Sequence, residues 1–168
     1  ARIESLGDFR RLIRAAALRV GSVLNQADLA RDVAVSPPTV HRWLNLLETS
    51  YQLVRLPAFS VNRTKRLIKT PKAYWADTGL ALRLAGSREP TGSDLENLVF
   101  SDLLAWRESQ VLDRPDLFYW RTATGEEVDF VVEWQNRLLA VEVKATKRPR
   151  VNDIRHLRTF QEEYGDRV

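Results

Sequence analysis

Several features are missing from this chain of 168 residues, and each absence excludes a class of protein or site. There is no cysteine, which excludes disulfides and thiolate metal sites. The two histidines, His41 and His156, argue against a zinc site because zinc usually takes three or four His or Cys ligands. No apolar run approaches the roughly 20 residues that span a bilayer. We therefore expect a cytoplasmic protein without a membrane partner.

Charge is distributed unevenly along the chain. Residues 1–88 hold 15 Lys and Arg against 6 Asp and Glu, whereas residues 89–168 hold 11 against 16. A basic first part and an acidic second part indicate two modules with different partners. Because the stretch 85–93 is rich in Gly, Ser and Pro, we predict one domain over residues 1–86 and a second over residues 87–168.

The first part contains the pattern of a helix-turn-helix. Apolar residues at helical spacing predict a helix over residues 6–20. Asn25 and Ser36 are predicted to cap two more helices, which end near residues 33 and 48. Two short helices joined by a tight turn are typical of helix-turn-helix proteins.

Two predicted strands, over residues 51–59 and 67–76, follow and enclose a basic loop, and Asp77 is predicted to cap a last helix. Together with the helices, they resemble a winged helix-turn-helix domain. The resemblance implies DNA binding, with the third helix in the major groove and the wing on phosphates. Because winged helices also serve as protein–protein adaptors, partner binding is the alternative. The predicted nucleic-acid-binding residues are Arg42, Asn45, Arg63, Lys65, Arg66 and Lys69.

The second part is predicted to contain a helix, three strands and a helix, which is a mixed α/β arrangement. Ser93 followed by Glu96 matches a capping box at the start of the first helix. The last helix is predicted over residues 152–164. Since a fold of this class usually continues into another strand, we interpret the chain as a fragment truncated after Val168. The apolar stripe predicted for the first helix is Leu95, Leu98, Val99, Leu103 and Trp106.

Three charges interrupt the apolar hairpin of the second part. With Gln135-Asn136 as a two-residue turn, Asp129 lies opposite Glu142, whereas a four-residue turn would place it opposite Lys144. Strict alternation of side chains places both, and Lys144, on one face, and it places Val128 with the buried residues of the other face. Because two neighbouring carboxylates repel each other, a divalent cation such as Mg²⁺ or Mn²⁺ is the natural compensation.

The spacing of these charges resembles the D…ExK core of the PD-(D/E)xK nuclease-like superfamily. The matching residues are Asp129, twelve intervening residues, and Glu142-Val143-Lys144. The resemblance implies that Asp129 and Glu142 are metal ligands and that Lys144 positions a water or stabilises a phosphate. Glu96 matches the acidic residue that many members add from the preceding helix. The implied activity is metal-dependent hydrolysis of nucleic-acid phosphodiesters by these four residues.

A wider resemblance covers nearly all 168 residues. The chain resembles the C-terminal region of a family of prokaryotic AAA+-type ATPases, in which a domain of unknown function follows the ATPase domain. The resemblance is carried by the stretches RLIKTPKAYWADTGLA, LENLVF, FYWRTATGEEVDFVVE and LLAVEVKAT. The resemblance implies a nucleotide-binding domain before Ala1 and assembly of the full-length protein into oligomers. The chain itself has no GxxxxGK[ST] loop, so ATP binding of the P-loop kind is not expected within it.

The charges also have structural interpretations. Glu96 could be only the capping-box acid, Glu142 and Lys144 could pair on an exposed face, and Glu127 could replace Asp129 as a ligand. Three functions follow: a metal-dependent nuclease acting on DNA or RNA, a non-catalytic nucleic-acid- or protein-binding module, or a regulator of the attached ATPase. The complete set of charges favours the first.

Overall fold

The computed structural model describes residue 3, residues 5–62 and residues 69–168. These ranges form a mixed α/β protein, as predicted, with two small antiparallel sheets. None of their helices is long and apolar enough to cross a membrane. The helices are α1 (Leu6–Ala17), α2 (Gln26–Val33), α3 (Pro37–Thr49), α4 (Thr78–Ala85), α5 (Gly92–Ser109) and α6 (Arg155–Tyr164). The strands are β1 (Leu53–Leu56), β2 (Lys72–Trp75), β3 (Asp116–Arg121), β4 (Glu127–Trp134) and β5 (Arg137–Val141).

The helices of the first part begin where the capping residues predict. Asn25 Oδ1 accepts hydrogen bonds from the backbone N–H groups of Ala27 and Asp28, which fixes the start of α2. Ser36 occupies the N-cap position of α3, although its hydroxyl bonds to Thr39 Oγ1 instead of a backbone N–H. The predicted helices are therefore confirmed, except that α1 ends at Ala17 and not at residue 20.

The first sheet is the antiparallel pair β1 and β2. The predicted first strand continues beyond β1 in a different direction, because residues 57–59 pair with the second sheet. The Tyr119 N–H donates to Pro57 O at 3.0 Å, and the Phe59 N–H donates to Tyr119 O at 2.5 Å. The first part of the chain thus contributes backbone to the edge of the second sheet, beside β3.

The second sheet has the strand order β3-β4-β5, all antiparallel. Gln135 and Asn136 form the two-residue turn between β4 and β5, and both have the left-handed φ that such turns require. The predicted order of helix, three strands and helix is confirmed by α5, β3, β4, β5 and α6.

The second sheet is covered on both faces, and the two parts of the chain share its core. Phe130 and Val132 of β4 belong to the same core cluster as buried residues of α1–α3, the first sheet and Phe100 of α5. On the opposite face, Val131 packs with Phe160 of α6 and with Phe59 from the segment after β1. Burial on both faces explains why β4 is apolar at successive positions and not only at alternate ones.

A β-bulge at Asp129 breaks the predicted alternation of β4. Phe118 of β3 lies opposite Val131, but Trp120 lies opposite Val128, so β4 has one extra residue between these pairs. Val128 consequently packs with Val131 near α6 and not with Phe130, as strict alternation predicted. That prediction was wrong because a bulge re-aims the side chains on one side of it.

The start and the buried face of α5 also differ from the prediction. Thr91 caps the helix, and its N–H and hydroxyl both donate to Asp94 Oδ2 at 2.7 Å. The predicted capping box of Ser93 and Glu96 is therefore wrong by two residues, and Glu96 is not a capping acid. Apolar spacing predicted the packed face of α5 only in part, because the helix buries two polar residues in it. Its fully buried residues are Asp94, Asn97 and Phe100; Val99 and Leu103 of the predicted stripe pack against the core, whereas Leu98 and Trp106 are exposed.

Candidate functional site

A buried lysine lies at the centre of the predicted site. Lys72 Nζ is 3.0 Å from Glu96 Oε1, 2.6 Å from Glu127 Oε1 and 3.7 Å from Asp129 Oδ1. The residue is only 1% exposed. These four residues, here named the Lys72 cluster, connect β2 of the first sheet to α5 and β4.

The neighbouring carboxylates keep Lys72 charged although it is buried. Burial by itself would lower the pKa of the Lys72 ammonium, but Glu96, Glu127 and Asp129 outweigh it and hold the pKa above its ordinary value. The ring of Tyr119 lies 5.7 Å from Nζ and adds a cation–π contact. Lys72 is therefore an ammonium ion enclosed by the protein.

Glu96 is held from several directions. Its Oε1 accepts a hydrogen bond from Tyr74 Oη at 2.5 Å in addition to the contact with Lys72. Gly21, with φ of +71°, approaches so closely that a Cβ there would lie 3.2 Å from the Glu96 carboxylate oxygens. Burial raises the pKa of the Glu96 carboxyl, and the Lys72 ammonium only partly opposes this. Glu96 is thus largely buried, and its contacts with Lys72, Tyr74 and Gly21 fix the position of its carboxylate.

Asp129 connects the Lys72 cluster to the strand that follows the hairpin turn. Its Oδ1 faces Lys72, while Oδ2 accepts a hydrogen bond from the backbone N–H of Val143 at 2.8 Å. Both carboxylate oxygens therefore have partners.

Glu142 and Lys144 form a separate pair beside the cluster. Lys144 Nζ donates to Glu142 Oε1 at 2.5 Å, and Lys144 is much more exposed than Glu142, with side-chain exposures of 43% and 7%. Glu142 Oε2 is buried without a hydrogen-bond donor among the described residues. Burial raises the pKa of the Glu142 carboxyl, and the hydrogen bond from Lys144 only partly opposes it. The predicted pairing of Glu142 with Lys144 is present, although Glu142 is not on an exposed face.

The divalent metal that the D…ExK resemblance implies does not fit the side chains as they are arranged. Glu96 and Asp129 both contact the Lys72 ammonium, and Glu142 contacts the Lys144 ammonium. Within residues 5–62 and 69–168, no three His, Cys, Asp or Glu side chains are arranged to hold a metal ion. Beside Glu96 and Asp129, the cation that offsets the repulsion between carboxylates is Lys72 of the first sheet.

The buried Glu142 carboxyl predicts a specific dependence of stability on pH. The pKa of Glu142 in the folded chain lies above the ordinary value of 4.5. The stabilisation that the protonated carboxyl gives the folded state is therefore fully present below pH 4.5, and it is lost as the pH rises through the folded pKa. We expect the free energy of unfolding of the wild type to fall more steeply above pH 4.5 than that of Glu142→Gln. Urea unfolding of both proteins between pH 4 and pH 8 measures this, and parallel pH profiles would contradict it.

The predicted nucleic-acid-binding residues are only partly accessible. Arg42 and Lys69 are exposed, but Asn45 is half-buried and is bonded to His41 and Arg55. Base reading by Asn45 would require these two hydrogen bonds to break. Arg63, Lys65 and Arg66 lie outside the described residues.

A second basic surface, which the sequence analysis did not select, follows the Glu142–Lys144 pair. Residues 144–158, here named the basic segment, carry six cations and one carboxylate. That carboxylate, Asp153, accepts a hydrogen bond from the Arg150 N–H at 2.6 Å and so caps a short turn. An open cavity of about 580 Å³ lies between Lys144, Arg148 and Arg150. The six cations, all exposed, are Lys144, Lys147, Arg148, Arg150, Arg155 and Arg158.

The sequence contained a signal for Lys72. It directly precedes the apolar run 73–76 inside the strand predicted over residues 67–76, and a lysine is almost never fully buried unless it is paired. Asn97 had no comparable signal. It is fully buried and holds α5 to β2 by accepting from the Trp75 N–H at 2.8 Å and donating to Trp75 O at 3.0 Å.

Two family models match successive stretches of the chain. Residues 1–91 match the model of a domain of unknown function, DUF8612, and residues 91–168 match that of another, DUF4143. Uncharacterized proteins of Mycobacterium bovis and Mycobacterium tuberculosis are each 33% identical over 140 residues, which is 79% of this chain. The chain spans 31% of the length of these curated relatives. No solved structure matches significantly. The chain therefore belongs to the DUF8612 family, and its second part carries a DUF4143 domain.

Proposed function

We propose that this chain is the C-terminal region of an ATP-hydrolysing protein, where it acts as a non-catalytic, nucleic-acid-binding module that regulates the ATPase. In this proposal residues 1–86 are a winged helix-turn-helix domain, and residues 87–168 have a PD-(D/E)xK nuclease-like fold. DUF4143 domains are commonly C-terminal to AAA-type ATPase domains, which supports the attachment. The greater length of the curated relatives also supports it.

The basic segment is the observation that carries the proposal. Its six cations lie in a part of the chain that is otherwise acidic, since the remaining residues of 89–168 hold five Lys and Arg and fifteen Asp and Glu. Nucleic acids attract such a segment because their phosphates form a regular line of negative charges, and binding releases condensed counterions. The acidic remainder of the second part repels a polyanion and so restricts contact by this part to the basic segment.

Non-catalytic binding agrees with the state of the predicted catalytic residues. Glu96 and Asp129 both contact the Lys72 ammonium, and Glu142 is paired with Lys144. A nuclease-like fold can serve as a scaffold for binding, since fold alone does not determine activity.

Removing three cations of the basic segment tests the proposal. We expect the triple variant Lys147→Gln, Arg148→Gln, Arg150→Gln to bind a short labelled DNA or RNA roughly 10- to 100-fold more weakly than the wild type, because phosphate contacts dominate such binding. The slope of log affinity against log salt should fall by about three, one for each lost contact. Fluorescence anisotropy at several salt concentrations measures both quantities.

The matched control removes three exposed arginines far along the sequence from the basic segment: Arg10→Gln, Arg83→Gln and Arg88→Gln. It makes the same change in net charge as the test variant. If nucleic acid binds at the basic segment, the control should therefore lose much less affinity than the test variant. Equal losses in the two triple variants, or no binding by the wild type at low salt, would exclude this function. In the full-length protein, the ATPase rate should respond to nucleic acid only when the basic segment is intact.

A metal-dependent nuclease is the second candidate, with Glu96, Asp129, Glu142 and Lys144 as its catalytic residues and Mg²⁺ or Mn²⁺ as its cofactor. The buried, unpartnered Glu142 Oε2 beside the exposed Lys144 favours it. This activity would require Lys72 to leave the carboxylates. Cleavage of single- or double-stranded DNA or RNA with Mn²⁺, abolished by Glu142→Gln, would favour this candidate over the first.

A further inference from the structure

We propose that the Lys72 ammonium takes the place of a divalent metal ion, so that this chain carries its own cation in the Lys72 cluster and needs no metal there. The proposal concerns the interior of the protein and does not depend on whether the basic segment binds nucleic acid.

The contacts of Lys72 place one ammonium among three carboxylates. Three carboxylates from two elements, α5 and β4, approach one point from different directions, with oxygens at 2.6–3.7 Å from Nζ. Carboxylate oxygens are the ligands that hard divalent cations prefer. Glu127 and Asp129 are two residues apart on β4, the spacing at which strand side chains share a face, and both reach the same ammonium.

The position of Lys72 in the chain makes this cation permanent. Its backbone pairs with Leu56 of β1 and also forms a bridge with Val23, so β2 is held from both sides. The following residues Ala73 and Tyr74 are fully buried. A metal ion could exchange with solvent, whereas this ammonium is covalently attached to β2.

Without the Lys72 ammonium, the three carboxylates of the cluster would repel one another. Glu96, Glu127 and Asp129 would then share a largely enclosed space, and among the described residues Arg121 is the remaining cation in contact with them, with its Nε 3.6 Å from Glu127 Oε2. Like charges in a buried space repel strongly, so a small divalent cation should be drawn into the volume that the lysine side chain vacates.

The test measures Mn²⁺ binding to the whole chain by electron paramagnetic resonance, together with the melting temperature with and without Mn²⁺. The wild type should bind no Mn²⁺ at the cluster. Lys72→Ala should bind one ion with a dissociation constant on the order of 0.1–1 mM, the range of weak carboxylate sites. Its melting temperature should rise with Mn²⁺, since a ligand of the folded state stabilises it. Lys72→Met, which fills the same volume without charge, should gain no site.

The controls assign any site to the cluster. Adding Glu127→Gln to Lys72→Ala should weaken Mn²⁺ binding, because one ligand loses its charge. The proposal is overturned if the wild type binds Mn²⁺ and Glu96→Gln abolishes that binding. It is equally overturned if Lys72→Ala binds no Mn²⁺, or remains unfolded with and without the ion.

Discussion

Lys72→Met should lower the free energy of unfolding by about 3–5 kcal/mol, the range expected when one partner of a buried ion pair is removed. Methionine replaces the volume of the lysine stem, so the loss comes from the missing charge and not from a cavity. Three carboxylates would remain around an apolar side chain, and their pKa values would have to rise before the chain could fold. Urea unfolding near neutral pH measures the change.

Lys69→Met is the matched control, because Lys69 is exposed and lies three residues before Lys72. Its effect should stay within about 0.5 kcal/mol, as for most surface substitutions. A second measurement tests the cause. Glu96→Gln combined with Lys72→Met should cost less than the sum of the two single changes, since the residues are in contact. A loss below about 1 kcal/mol for Lys72→Met would show that the cluster contributes little to stability.

Phe59→Ala should cost about 3–5 kcal/mol, the range for deleting a buried phenylalanine. Phe59 is 1% exposed, and its ring centroid lies 5.7 Å from Phe118, 6.0 Å from Phe160 and 5.2 Å from Tyr164. These rings belong to the second part of the chain, although Phe59 comes from the first. The substitution should therefore loosen α6 as well as the segment after β1.

Val61→Ala is the control for Phe59→Ala, because Val61 lies two residues further along and is 64% exposed. Chemical denaturation gives the stability of both variants, and hydrogen exchange gives local opening at α6. If Phe59→Ala destabilised only the first part, with α6 protected as in the wild type, the packing described for Phe59 would be wrong.

Local signals in the sequence predicted much of this fold. Asn25 and Asp77 accept hydrogen bonds from the first turns of α2 and α4, as capping residues should. The two-residue turn at Gln135 and Asn136 fixed the register of β4 and β5, which placed Asp129 near Glu142. Such features depend on a few neighbouring residues and can be recognised without the tertiary structure.

The unpredicted features depend on residues that are far apart in the sequence. The bulge at Asp129 exists only relative to β3, and no local pattern marks it. The buried face of α5 includes Asn97, whose amide bonds to the backbone of Trp75, so apolar spacing predicted that face only in part. Lys72 had a local signal, but its partners come from α5 and β4, and the predicted site consequently lacked its central cation.

The pairing of residues 57–59 with β3 has a consequence for how this protein can evolve. The two family models meet at residue 91, which suggests a position where segments could be exchanged between relatives. Yet an exchange there would separate Phe59 from its aromatic neighbours, and Lys72 from Glu96, Glu127 and Asp129. A chimera would fold well only if both of its parents had kept these partners. The two parts are therefore expected to be inherited together, as one unit of selection.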